Sequence, residues 1–172
     1  PDQKLDCVAY GCTSGTIAAG YKSIYKKINI EKPNTKVTTP ITSAINAFKT
    51  LKINKLSIFT PYTNEINQSL INYFKNKNIA IDELFYLDIA SDLDIGKVDP
   101  NYLFDVLTKK NLSQSNVLFI SCTALPVLSI FKDLENKLGK VILSSNQTLI
   151  WDTLRQIKYK SKIKGFGELF KN

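Results

Sequence analysis

Short apolar runs alternate with longer amphipathic segments along this chain of 172 residues. The apolar runs have the length and composition of buried strands, and turns rich in Ser, Thr, Asn and Pro follow them. They predict strands at residues 6–10, at Val37, and at 55–60, 79–87, 117–120 and 140–143. Apolar residues at helical spacing predict helices at 14–27, 41–51, around 66–74, 102–110, 124–138 and 149–157.

The alternation of strands with helices indicates an α/β fold with parallel sheets. The chain also contains an internal repeat. Cys12-Thr13 and Cys122-Thr123 each follow a strand, and each precedes a helix and a further short strand. A repeat of this kind predicts two similar halves with a cleft between them.

Hydroxyl-rich turns follow the predicted strands at 12–14, 38–39, 60–63, 121–123 and 144–147. In parallel α/β sheets, ligands bind beyond the carboxyl ends of the strands, where these turns are predicted to lie. A cysteine at a helix start has its thiolate stabilised, so we expect Cys12 and Cys122 to have pKa values below about 8.5. The alternative for any one turn is that its hydroxyl only caps a helix. Tyr62 fits either the core or the site, and Cys7 fits a core position.

Composition narrows the chemistry. The chain contains no His, which excludes Ser-His-Asp triads, Cys-His pairs and His-based metal sites.

The net charge of +8 comes from lysines scattered among Asn and Ile, without a zinc or RNA-binding motif, so we predict no nucleic-acid partner. No apolar run is long enough to span a membrane, and no signal peptide is visible. Three cysteines, unlike a disulfide framework, indicate a reduced, cytoplasmic setting.

Several common catalytic motifs do not fit the chain. Ala18 and Leu128 stand where a phosphatase loop needs Arg, six residues after Cys12 and Cys122. No Walker A sequence is present, and the glycines of segment 165–167 do not open a helix after a strand, as a dinucleotide fingerprint would. The two Cys-Thr turns are therefore the candidate site.

Five segments carry a resemblance to a known family: 10–16, 37–40, 60–63, 120–125 and 144–147, the last followed by Trp151, Leu154 and Arg155. In this order they resemble the aspartate/glutamate racemase superfamily. The closest resemblance is to the branch that holds maleate cis-trans isomerase, arylmalonate decarboxylase and the ectoine-utilisation racemase-like proteins.

The resemblance implies two pseudo-symmetric α/β halves with the active site in the cleft between them. Residues 1–52 and 145–172 would form the first half, and residues 53–144 the second. It also implies that the chain lacks the family's first strand–helix unit, which brings an Asn to the site. Because the chain begins at Pro1 and contains no Met, we expect a processed or truncated N-terminus.

The same resemblance implies roles for the matched residues. Cys12 would act as base or nucleophile on one face of the substrate, and Cys122 as acid or base on the other. Four hydrogen-bond donors would hold a carboxylate and stabilise an enediolate-like state. These donors belong to Thr13, Ser14 and Tyr62, together with the backbone N–H of Thr123. Asp92 stands where maleate isomerases have Asn, so we expect it to repel a second substrate carboxylate and to favour an amino group.

We therefore predict a cofactor-independent isomerase or racemase of a small carboxylic acid, either a dicarboxylate or an amino acid, without a metal. Arylmalonate decarboxylases lack the first Cys, and the presence of both here favours two-sided proton transfer or thiol addition. A decarboxylase or lyase at the same site is one alternative, and a catalytically silent binding protein for small acids is another. We expect a cytoplasmic homo-oligomer, a dimer or larger, with no membrane partner.

Overall fold

Strands and helices alternate along the chain, which in this computed structural model is described for residues 4–109 and 115–172. The strands are β1 (Cys7–Ala9), β2 (Lys36–Thr38), β3 (Lys55–Thr60), β4 (Ala80–Tyr86), β5 (Val117–Ile120) and β6 (Val141–Ser144). The helices are α1 (Thr13–Ala19), α2 (Tyr21–Glu31), α3 (Pro40–Thr50), α4 (Asn64–Lys75), α5 (Asp92–Ile95), α6 (Pro100–Lys109), α7 (Phe131–Leu138) and α8 (Ser145–Gln156). Short 3-10 segments occupy Leu128–Ile130 and Glu168–Lys171. None of the helices within these ranges is long and apolar enough to cross a membrane.

The strands form two parallel sheets, which confirms the predicted α/β class. β1 pairs with β2, and Val8 lies opposite Val37. The larger sheet has the order β4-β3-β5-β6, so the chain passes from β3 to one edge and then returns to the other side of β3 to form β5. A topological switch point therefore lies between the carboxyl ends of β3 and β5, which is where open parallel sheets bind ligands.

Both faces of the larger sheet are covered, which explains why its central strand β5 is apolar and buried along its whole length. Successive strand residues point to opposite faces. Phe119 packs edge-on against Phe48 of α3 and Phe74 of α4, with ring centroids 5.4 and 5.9 Å away. Leu118 and Ile120 belong to the opposite core, which α6 and α7 cover. Burial of each such side chain stabilises the fold by about 1.5–3 kcal/mol, so the two cores hold the end of β5 firmly in place.

The single helix predicted at 14–27 is wrong, because the structure has two helices there. α1 ends at Ala19 and α2 begins at Tyr21, since Gly20 between them adopts φ 77° and ψ 137°. A positive φ interrupts a right-handed helix and favours glycine. The sequence pattern missed the break because Ile17 and Ile24 keep helical spacing across it.

The helix predicted at 124–138 is wrong in its first part. α7 begins only at Phe131, after the 3-10 segment Leu128–Ile130. Pro126 has no N–H to donate and disfavours the helical conformation at Leu125, so a helix cannot easily start at residue 124. Cys122 is therefore not at a helix start, and the two Cys-Thr turns are not structurally equivalent.

Other helix boundaries differ from the prediction by smaller amounts. α8 begins at Ser145 rather than at residue 149, because Ser144 and Gln147 form a capping box. The short helix α5 lies in a segment for which no helix is predicted. α4 begins at Asn64, slightly before the predicted range of 66–74. Lys110 and Pro1, on which two of the predictions fall, lie outside the described residues.

The two sheets occupy different parts of the chain. β1 and β2 fall within residues 1–52, and β3 to β6 fall within residues 53–144. α8, which follows residue 144, packs against α3 of the first segment. The division into two halves at these limits stays a prediction.

Candidate active site

A cavity of about 460 Å³ lies at the carboxyl ends of the strands. All seven residues singled out from the sequence line it: Cys12, Thr13, Ser14, Tyr62, Asp92, Cys122 and Thr123. Gly11, Ala124, Asn146 and Leu149 complete the lining. The structure thus brings the predicted residues together, and their catalytic roles stay predictions.

Each side of the cavity comes from a turn that follows a strand. Cys12 follows β1, Tyr62 follows β3, Asp92 follows β4, Cys122 follows β5 and Asn146 follows β6. The parallel strands of the larger sheet end at the same edge, so Tyr62, Cys122 and Asn146 meet there although they are far apart in sequence. Cys12 reaches the same cavity from the end of β1 in the two-stranded sheet. Because β3 and β5 are neighbours, Tyr62 and Cys122 lie at the switch point of the larger sheet.

Cys12 is the N-cap residue of α1, and its thiol lies against the first turn of that helix. The Gly15 backbone N–H donates to its Sγ at 3.2 Å, and the Ser14 hydroxyl oxygen lies 3.8 Å from the same sulfur. A Cβ added at Gly15 would lie only 2.8 Å from Sγ. The close approach of the thiol to the helix therefore requires glycine at this position.

Cys122 differs from Cys12 in conformation and environment. It is 5% exposed and adopts φ 113°, and the Ala124 backbone N–H donates to its Sγ at 3.4 Å. Burial raises the pKa of the Cys122 thiol, and the negative charge of Asp92 adds to that increase. The predicted lowering of this pKa is wrong, because no helix begins at Cys122 and the thiol is desolvated.

The cavity has few charges. Among the described residues that line the cavity, Asp92, an exposed residue at the start of α5, is the one with a formally charged side chain. Tyr62 is buried to 3% exposure, and burial raises the pKa of its phenol well above the usual value, so Tyr62 stays protonated and can donate a hydrogen bond. Within residues 4–109 and 115–172, no group of three or more Cys, Asp or Glu side chains could hold a metal ion.

Thr123 connects the turn after β5 with the turns after β1 and β6. Its hydroxyl donates to the Gly11 carbonyl at 2.6 Å, and the Asn146 side chain donates to the Thr123 carbonyl at 3.0 Å. Asn146 lies within the hydroxyl-rich turn predicted at 144–147, but the sequence analysis assigned it no role. Its position two residues after the end of β6 is the signal that could have identified it.

Three other strand-end hydroxyls, those of Thr38, Thr39 and Thr60, neither line the cavity nor cap a helix. Thr38, Thr39 and Thr60 form hydrogen bonds within the protein instead. Their side-chain partners are Thr153, Thr42 and Asn67, at 2.6, 2.8 and 2.7 Å respectively. Cys7 is half-buried in β1 and is not part of the cavity lining, although it is less buried than the core position predicted for it.

Comparison with known proteins identifies the family of this chain, related proteins and solved structures with a similar fold. The family model for arylmalonate decarboxylase matches residues 23–170. A maleate isomerase from Geobacillus stearothermophilus is 25% identical over 178 residues, which cover 98% of this chain and 70% of that protein.

Two solved structures share the fold. The maleate isomerase Iso from Pseudomonas putida S16, in a variant with maleate, has a TM-score of 0.88 at 18% identity, covering 96% of this chain and 69% of that one. The maleate cis-trans isomerase from Nocardia farcinica, in a mutant with a covalently bound succinylcysteine intermediate, has a TM-score of 0.87 at 16% identity, covering 96% and 71%.

Proposed function

The chain belongs to the arylmalonate decarboxylase family, and from this premise we propose that it is a cofactor-independent isomerase or racemase of a small carboxylic acid. The resemblance predicted from sequence is confirmed for the maleate isomerase and arylmalonate decarboxylase branch; its ectoine-utilisation part stays a prediction. One observation carries the proposal: two thiols, Cys12 and Cys122, line one cavity together with hydroxyl groups.

The carboxylate of the substrate binds to donors on one side of this cavity. Tyr62 supplies a protonated phenol. The backbone N–H groups of Thr13 and Ser14, in the first turn of α1, have no acceptor within the helix and can face an anion. Such donors, fixed before the reaction begins, stabilise the negative charge that develops on the carboxylate oxygens of an enediolate.

Two reaction mechanisms can use the Cys12 and Cys122 thiols on a substrate bound in this way. In a racemisation, the Cys12 thiolate takes the α-proton, the electron pair moves into the carboxylate, and the Cys122 thiol returns a proton to the opposite face. In a cis-trans isomerisation, the Cys12 thiolate adds to one alkene carbon, and the π electron pair moves through the other carbon into its carboxylate. The carbon–carbon bond, which is now single, rotates. Return of the electron pair then expels the thiolate and restores the double bond. The raised pKa of Cys122 keeps its proton available near neutral pH. The succinylcysteine reported for the Nocardia farcinica enzyme supports the addition route.

The main alternative is an arylmalonate-type decarboxylation, followed by protonation of the enediolate by Cys122. The family and the protonated Cys122 thiol favour this alternative. That route leaves Cys12 without a role, so the presence of Cys12 in the cavity favours isomerisation. A catalytically silent binding protein is the third possibility, and turnover separates it from the other two.

Asp92 bears on the choice of substrate. A second substrate carboxylate about 5 Å from Asp92 would be repelled by about 1 kcal/mol in water-like surroundings, and by more where water is excluded. No lysine or arginine is among the lining residues to offset that repulsion. The site therefore suits a substrate that carries one carboxylate together with an amino group better than it suits a dianion.

Proton NMR in D₂O with maleate, phenylmalonate, aspartate and glutamate tests the proposal. We expect exchange at the α-carbon or isomerisation of at least one acid, and a loss of at least about 100-fold in Cys12→Ala and Cys122→Ala. Cys7→Ala is the matched control, because Cys7 lies outside the cavity lining and its loss leaves the rate unchanged. Loss of CO₂ that depends on Cys122 and not on Cys12 identifies the decarboxylase. An absence of turnover with every acid refutes both enzymes.

The proposal also includes assembly and location. We propose a homo-oligomer, a dimer or larger, which light scattering coupled to gel filtration measures directly. We propose the cytoplasm as its compartment, because three cysteines that remain free are typical of a reducing environment.

A further inference from the structure

Ser145, the first residue of α8, is fully buried and contacts both cysteine-bearing turns. Its Oγ accepts one hydrogen bond from the Thr13 hydroxyl at 3.0 Å and another from the Cys122 backbone N–H at 3.1 Å. Thr13 directly follows Cys12 in sequence. One oxygen atom thus connects the residue next to one thiol with the backbone of the residue that carries the other.

The role of this serine is not that of a helix cap. Ser144 is the N-cap residue of α8, and its hydroxyl already accepts the hydrogen bond from the Gln147 backbone N–H at 3.1 Å. Ser145 is also not among the residues that line the cavity. Its two hydrogen bonds therefore act on the cysteine turns rather than on the helix or a ligand.

Cys122 needs such support because of its backbone conformation. Its φ of 113° lies in a region that residues other than glycine rarely adopt. A conformation of this kind persists only where the surroundings fix it. The Ser145 oxygen holds the Cys122 N–H on one side, and the Ala124 N–H holds its sulfur on the other.

A second attachment comes from the same turn of α8. Asn146 donates to the Thr123 carbonyl, and Thr123 in turn donates to the Gly11 carbonyl. The first two residues of α8, Ser145 and Asn146, therefore form hydrogen bonds with two consecutive residues of the turn after β5, Cys122 and Thr123. Through Thr13 and Gly11, the same contacts reach the residues on both sides of Cys12.

We propose that Ser145 is the positioning residue that fixes the Cys122 thiol relative to the Cys12 turn across the cavity. The inference rests on the proposed function, because only chemistry that uses both thiols requires them to be held at a fixed separation. Displacements of about 1 Å at reacting groups can lower rates by about 100-fold. Ser145 therefore acts through Cys122 and Thr13 and does not touch the substrate.

Site-resolved alkylation tests the inference on the intact protein. Iodoacetamide labelling is followed by peptide mass spectrometry, and the rate at Cys122 is divided by the rate at Cys7, which lies outside the cavity lining. In Ser145→Ala we expect this ratio to rise by about tenfold, because the turn loses one buried hydrogen bond and opens more often. The pH at which labelling of Cys122 is half-maximal should fall as well, because the opened thiol is less desolvated.

Thr148→Val is the matched control. Thr148 is fully buried in the same helix, and its hydroxyl donates to the Ser144 and Ser145 carbonyls rather than to a cysteine turn. This variant removes a buried hydroxyl from α8 and should leave the Cys122 to Cys7 ratio unchanged. Ser145→Thr keeps an oxygen at the same position and should retain most of the native ratio.

An unchanged ratio in Ser145→Ala overturns the inference, and so does an equal acceleration at all three cysteines, which would mean general loosening. If Ser145→Ala does not fold, the inference is tested instead by hydrogen exchange of the Cys122 amide in the native protein. The Cys122 N–H should then exchange at least about 100-fold more slowly than an unprotected amide, and unprotected exchange refutes the proposal. None of these measurements needs turnover. A rise in the ratio without turnover of any acid, by exchange, isomerisation or loss of CO₂, would uphold the positioning role and refute the proposed function.

Discussion

Replacing Gly15 with alanine tests whether the position of the Cys12 thiol depends on free space in the first turn of α1. A Cβ at residue 15 would lie 2.8 Å from Cys12 Sγ and 3.0 Å from the Tyr10 hydroxyl oxygen. Favourable contacts between such atoms occur at about 3.5–4 Å. The thiol, the tyrosine or the start of the helix must therefore move.

Two effects on stability oppose each other in Gly15→Ala. Alanine in place of glycine within a helix adds up to about 1 kcal/mol. An extra methyl group in a packed region costs about 1–3 kcal/mol. Overpacking is the larger effect, so we expect the free energy of unfolding to fall by roughly 0–2 kcal/mol. A displaced thiol also loses the hydrogen bond from the Gly15 N–H, whose length is 3.2 Å.

Loss of that hydrogen bond should slow the alkylation of Cys12. The N–H donor stabilises the negative charge of the attacking sulfur but also makes that sulfur less nucleophilic, so a contribution of about 1 kcal/mol corresponds to a reaction with iodoacetamide slower by about two- to threefold. Urea unfolding followed by circular dichroism measures the stability of the same samples. Alkylation of Cys122 should remain at the native rate, since no atom of Cys122 is among those that the added Cβ meets most closely.

Gly11→Ala is the matched control, because a Cβ at Gly11 meets no atom within 4 Å although Gly11 also lines the cavity. It should change neither the alkylation of Cys12 nor the stability by a comparable amount. The reasoning is refuted if Gly15→Ala leaves the Cys12 rate at its native value while stability is equal or higher. In that case the thiol would not depend on close contact with the helix.

The remaining predictions concern the pH dependence of Cys122 and the selectivity of the cavity. Alkylation of Cys122 should accelerate at a higher pH than alkylation of the same cysteine in the urea-unfolded chain, because burial raises the pKa of its thiol. A native curve at or below the unfolded one contradicts this desolvation. In Asp92→Asn, maleate should protect Cys122 from alkylation with an apparent affinity higher by about fivefold or more, because a repulsion of at least about 1 kcal/mol is removed. Equal protection in both proteins would show that Asp92 does not face the second carboxylate.

Much of the candidate site could be predicted because its residues follow strands. The apolar run of β5 is recognisable from its composition, and Cys122 stands next to its end. The same holds for Cys12 after β1 and Tyr62 after β3. Since β3 and β5 are parallel neighbours in one sheet, local patterns place Tyr62 and Cys122 at one edge. β1 belongs to the other sheet, so only the tertiary structure brings Cys12 to the same cavity. Thr38 and Thr60 also stand at strand ends, but their hydroxyls form hydrogen bonds with other side chains of the protein. Only the tertiary structure distinguishes these hydroxyls from the residues that line the cavity.

The sequence by itself determined the α/β class, the order of strands along the chain and the residues at strand ends, because side-chain periodicity and turn chemistry act over a few neighbouring residues. The tertiary structure decided the break at Gly20 and the positive φ of Cys122. It also decided the raised pKa of the Cys122 thiol and the contact of Ser145 with both cysteine turns. Desolvation and these hydrogen bonds depend on segments more than 20 residues away in the chain, which no local pattern records.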